Sequence, residues 1–155
     1  MKTQRQILGL AFLLLPLLFC QNLAAQETYD QKLAEQYKAD DYGMKTYVMA
    51  FLKRGEKVEK YSPEERTKIQ KGHMENISQL AAEGKLVLAG PFIDGDDLRG
   101  IFLFDVATIE EAEELTSRDP AIKAGVLRME LIQWYGSAAL MAIPELSKKV
   151  QKKSF

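Results

Sequence analysis

His73 is the only histidine in the chain. A neutral imidazole is the side chain whose ordinary pKa lies nearest neutrality, which suits it to general acid–base work. Asp119, directly before Pro120, is the second candidate. A carboxylate beside an imidazole orients the ring and stabilises its protonated form. Each residue also has an ordinary structural use. A lone histidine on an apolar helix stripe is easily satisfied by a backbone carbonyl, and Asp before Pro is a common helix-ending turn. Spacing alone does not bring the two together; a fold that sets both over one sheet would.

Gly90-Pro91-Phe92 is a candidate substrate-binding wall, because Gly permits a close backbone approach and Pro fixes the turn. As a plain turn it would look the same. Asp94-Gly95-Asp96-Asp97 lacks the ordered acidic spacing and distal Glu of a calcium loop. Asn76-Ile77-Ser78 matches a glycosylation triplet but falls within an expected helix, where an exposed loop is wanted. One Cys and one His cannot build a Cys/His zinc site. There is no G-x-S-x-G, P-loop or dinucleotide fingerprint, so neither metal nor cofactor is expected. A formal charge of −1 over 155 residues and a pI near 5.9 offer no basic field for nucleic acid. With 46% hydrophobic and 28% charged residues, the composition is that of one globular domain.

Hydrophobic patterning supplies the elements that must position these residues. Residues 46–52, TYVMAFL, form a continuous apolar run suited to a strand buried on both faces. Ser62-Pro63-Glu64-Glu65 opens a helix with an N-cap, a proline at the first helical position and a capping box. It should run to Gly84, with Ile69, His73, Ile77 and Leu80 as its inward stripe. Residues 85–89 (KLVLA) and 100–106 (GIFLFDV) read as a hairpin turning through Gly90-Pro91 and 94–97. Thr108-Ile109-Glu110-Glu111 is a second capping box, whose helix should end before Asp119. Residues 126–135, VLRMELIQWY, form the last strand. The order is β-α-β-β-α-β, a ferredoxin-like α+β fold with helices on one face of an antiparallel sheet. Apolar residues at both alternations of the strands call for the second face to be buried too, most simply by a homodimer packed sheet to sheet.

The ends differ from this body. Lys2 and Arg5 precede an uncharged run at 7–19, followed by Ala24-Ala25. That order of charge, short apolar run and small residues is a secretory signal, residues 1–25, cut before Gln26. The run is too short for a bilayer span, so no span is expected after cleavage. Cys20 raises lipidation as an alternative, although Phe19 fits poorly before a lipidated cysteine. Cleavage would remove two basic residues and no acid, taking the charge from −1 to −3. The product would be periplasmic or extracellular and free of cysteine, in keeping with an oxidising compartment. Residues 26–43 read as a polar helical extension with Tyr29, Leu33 and Tyr37 on one stripe. The domain proper is 44–137, and the tail 138–155 begins apolar and ends basic, so only its first part is expected to pack.

The stretch at 73–92, HMENISQLAAEGKLVLAGPF, followed by the DG turn, 99–102 (RGIF), Asp119-Pro120-Ala121, Lys123-Ala124-Gly125 and Trp134-Tyr135-Gly136, resembles the YCII-related (YciI-like) family. The resemblance covers roughly residues 45–140. It implies a ferredoxin-like α+β fold forming a dimeric α/β barrel, with His73 and Asp119 at the positions of the family's proposed active pair. Most members have no assigned reaction. A few are linked to dehydrochlorination of hydroxyquinone-type intermediates, and the wider group includes lactone isomerases and monooxygenases. Two departures stand out: the export signal with its leading helix, and Ala121 where a bulky aromatic often follows the proline, a difference that bears on pocket size.

Two functional classes follow. One is an enzyme, an isomerase or elimination lyase, moving a proton on a small carbonyl or phenolic compound through His73 and Asp119. The other is a non-catalytic small-ligand-binding or structural dimer of the cell envelope.

Overall fold

The computed structural model describes residues 29–153. The signal segment, Cys20, the start of the leading helix and residues 154–155 lie outside the described residues. In chain order the elements are α1 (Gln31–Tyr37), β1 (Met44–Arg54), α2 (Pro63–Ala82), β2 (Leu86–Pro91), β3 (Leu98–Phe104), α3 (Ile109–Thr116), α4 (Pro120–Lys123), β4 (Leu127–Ser137) and α5 (Ile143–Val150). Short 3-10 turns occupy Val58–Lys60 and Ala138–Ala142. The strands form one sheet in the order β2-β3-β1-β4, and each neighbouring pair is antiparallel. This is the split β-α-β-β-α-β arrangement expected from the pattern.

Both expected capping boxes are formed. The Ser62 hydroxyl accepts from the Glu65 backbone N–H while the Glu65 carboxylate accepts from the Ser62 N–H. Thr108 and Glu111 repeat the exchange at α3. These reciprocal bonds satisfy N–H groups that a helix start otherwise leaves without partners.

Strand ends differ from the apolar runs that announced them. β1 pairs with β4 from Met44↔Ser137 to Arg54↔Leu127, because backbone pairing continues past the last apolar side chain. β2 includes Gly90 and Pro91, which the sequence assigned to the turn. Proline is tolerated there because β2 is an edge strand. The leading helix is shorter than expected. It ends at Tyr37, buries no residue, and is followed by Asp40, whose carboxylate accepts from the backbone N–H groups of Tyr42 and Met44. A short helix that buries no residue is marginal, and Asp40 offers the backbone another partner.

One sheet face carries the main core. Val48, Ala50, Leu52, Leu86, Phe102 and Phe104 meet Leu80 of α2 and Ala112 and Leu115 of α3. The opposite face buries Tyr47, Val87 and Leu103, so both alternations of the central strands are used. Part of that face is covered from within the chain: Leu140 and Met141 of the tail pack on it, and α5 continues against β2. The apolar first part of the tail thus packs on the sheet, while α5 beyond it buries no residue. Ile132 and Trp134 on the same face remain 45% and 38% exposed.

Candidate active site

His73 and Asp119 meet. The Asp119 Oδ2 lies 2.7 Å from His73 Nδ1, and both side chains are buried, Asp119 completely. The approach depends on a small residue beside the histidine. A Cβ on Gly72 would come within 2.9 Å of Pro120 Cγ, so a larger residue there would press the Asp119 turn away from α2. Asp119 caps α4, its Oδ1 accepting the Ala121 N–H at 2.8 Å. Its Oδ2 also accepts from Asn76 Nδ2 at 3.2 Å. Three donors thus converge on one buried carboxylate.

Asn76 was not among the residues read as inward-facing. The stripe runs through His73, Asn76 and Leu80, with Ile77 only partly buried at its side. A spacing of 3 then 4 was available in the sequence, but a polar residue does not register in a search for apolar periodicity. Asn76 is 8% exposed and committed to Asp119, which leaves its amide unsuited to glycosylation.

With Nδ1–H donated to Asp119, the tautomer presents an unprotonated Nε2. That nitrogen has no hydrogen-bond partner among the described residues. The ring is also held from its face by Phe102, with centroids 5.9 Å apart and planes 17° from parallel. A cavity of about 430 Å³ opens beside it, with His73 in its wall. Leu52, Val58, Met74, Ile77 and Leu127 make that wall largely apolar.

Gly90 and Pro91 line the cavity as expected. Phe92 does not; it lies beyond the end of β2, 44% exposed, with its N–H on the Arg99 carbonyl. Gly100, not singled out from the sequence, forms part of the wall. A Cβ there would meet the Gly90 carbonyl oxygen at 2.5 Å, so the two strands can close on each other only without it. Arg54 and Arg99 also border the cavity; neither has a sequence signature, because nothing local distinguishes them from solvated arginines.

Among the described residues no cluster of three or more His, Cys, Asp or Glu side chains could hold a metal ion. No helix among them is long and apolar enough to cross a membrane. In the 94–97 turn, Asp97 is paired with Arg128.

The buried pair can therefore hold one proton on Nδ1, offer Nε2 as a base and balance the imidazolium that results. A family model of the YCII-related domain matches residues 46–135, which include every residue of this site. The chain belongs to the YCII-related domain family. It is 30% identical over 91 residues to the uncharacterized protein YjpA of Bacillus subtilis (strain 168), covering 59% of this chain and 95% of that protein. Among solved structures it is similar to 5-chloro-2-hydroxyhydroquinone dehydrochlorinase (TftG) from Burkholderia phenoliruptrix AC1100 in complex with 2,5-dihydroxybenzoquinone. That likeness has a TM-score of 0.42 at 17% identity, over 58% of this chain and 93% of the other. The YCII-related domain here thus spans nearly the whole of the body that carries the pair.

Proposed function

We propose that this YCII-related domain catalyses proton transfer on a small carbonyl or phenolic compound, as an isomerase or an elimination lyase. His73 is the base and Asp119 its positioning residue. The observation that carries the reading is the 2.7 Å pair set in the wall of a largely apolar cavity with Nε2 left over. Nε2 would take a proton from a carbon next to the carbonyl, and the C–H electron pair would pass into an enolate. Isomerisation then returns that proton to a different carbon. Elimination instead uses the pair to form a C=C bond and expel a leaving group as its anion. Asp119 stabilises the imidazolium in either case.

The test is deuterium exchange. Small ketones and hydroxyquinols are incubated with the protein in D2O, and loss of C–H signal is followed by NMR. A positioned base supplies roughly 10²–10⁴-fold, so His73→Asn should slow exchange by that order. A folded His73→Asn protein within about threefold of the parent rate would overturn the assignment. Binding without exchange would make the domain a ligand carrier.

Two further parts of the proposal concern where and how the domain works. The exposed Ile132 and Trp134 on the partly covered sheet face support a homodimer packed through that face. Residues 1–25 support export, with a mature chain starting at Gln26 that the intact mass of the exported protein checks.

A further inference from the structure

Charge narrows the ligand. We infer that the cavity takes a small, largely apolar molecule carrying an acidic oxygen, carboxylate or phenolate, held at the rim by Arg99 with Arg54 beside it. The apolar body of the ligand lies toward His73. This rests on the proton-transfer reading of the same site and adds the class of substrate.

Three observations carry it. First, the cavity is lined by two arginines and by no carboxylate among the described residues; Asp119 lies behind the imidazole, fully buried. An anion entering this space meets Arg99 with no carboxylate in the lining itself. Second, Arg99 makes no ion pair with any described residue, and its guanidinium contacts only the Gly95 carbonyl at 3.4 Å. Arg54 is bonded to Glu59, but both side chains are exposed, and such pairs contribute little. The Glu59 carboxylate can therefore give way to a ligand oxygen.

Third, Arg99 is placed by a distortion of the sheet. Leu52 pairs with Gly100 and Lys53 with Leu98, so the register skips Arg99. In regular alternation Arg99 would point to the face opposite Gly100, which lines the cavity. The extra residue of a bulge escapes that alternation, and bulges beside sites re-aim side chains in this way. Guanidinium groups suit the purpose because their forked donors match a planar carboxylate.

The experiment measures binding and needs no turnover. Calorimetry on the purified protein compares 2-naphthoate with 2-naphthamide, which share a ring system and differ in charge. A hydrogen-bonded charged contact predicts naphthoate binding about tenfold or more tighter at low ionic strength. Arg99→Met keeps the length and removes the charge, so the preference should fall to within about twofold, with naphthamide reporting that the cavity is intact. Added salt should weaken naphthoate and leave naphthamide unaffected. Equal affinities for the two probes, a preference that survives Arg99→Met, or binding of neither at millimolar concentration would each overturn the inference. Such a failure is distinguishable from failure of the proton-transfer reading, which is decided by deuterium exchange and His73 alone.

Discussion

Each face of the sheet buries a ring with a hydrogen-bonding group, and the two faces treat it in opposite ways. Under the helices, His73 has Nδ1 bonded to Asp119 while its other nitrogen is left to a cavity. Under the tail, Tyr47 is fully buried and its hydroxyl donates to the Ser137 carbonyl at 3.0 Å. Lys45, paired with Asp105, lies over the Tyr47 ring, and Trp134 packs at its side. Burial, helped by the negative charge of Asp105, pushes the Tyr47 phenol up to about 12. Both rings are buried and both are bonded at ordinary distances. What separates a structural group from one available for chemistry is unused hydrogen-bonding capacity facing open space.

The contrast can be broken or sharpened by substitution. The largest effect is expected from Asp119→Ala, which strips Asn76, Ala121 and His73 of a shared buried acceptor. Leaving such buried donors without their acceptor costs about 1–3 kcal/mol each, read by urea unfolding, and deuterium exchange should fall with it. Asp119→Asn keeps the shape; if its exchange rate matched the parent's, the two faces would not differ as described.

Alkaline pH gives the next effect, on the other face. Below pH 10 Tyr47 is protonated in both folded and unfolded chains, so its contribution is fully present. Between pH 10 and about 12 the unfolded phenol ionises first, and stability is lost as pH rises. The loss is roughly 2–3 kcal/mol, and a Tyr47→Phe protein should lack it in a pH series of unfolding curves. At neutral pH the same substitution removes one hydrogen bond and should cost about 1 kcal/mol, with exchange at the His73 site unchanged. Loss of exchange in Tyr47→Phe would show that the faces are coupled. The smallest effect on the protomer is expected from Ile132→Glu. At an exposed position it should alter unfolding by no more than about 0.5 kcal/mol, yet light scattering should show a monomer where the parent is a dimer. A parent that is already monomeric would remove the homodimer from the proposal.

Much of the scaffold was legible because its signals are local. The capping boxes at Ser62 and Thr108 act over three residues, and both formed. The apolar runs located β1 and β3, although their ends were set by pairing with β4 and β2. Lone chemistry-bearing residues were also visible: a single histidine and an Asp-Pro turn are conspicuous in any sequence. Asn76 was not, because its partner belongs to another helix. Arg99 was not, because a bulge is a property of two strands and is written in neither. The coverage of one sheet face by Leu140 and Met141 escaped for the same reason, and so did the exclusion of Phe92 from the cavity.

The sequence by itself determined the β-α-β-β-α-β order, the helix starts at Ser62 and Thr108, and the candidacy of His73 and Asp119. These follow from backbone groups that must find partners within a few residues and from side-chain periods of 2 and 3.6. Only the tertiary structure decided that the two residues touch, that Asn76 joins them, and that arginines border the resulting cavity. Those contacts join segments far apart in the chain, and they form only when α2, α4 and the β2–β3 hairpin close together. The packing of Gly72 against Pro120 and of Gly100 against Gly90 permits that closure.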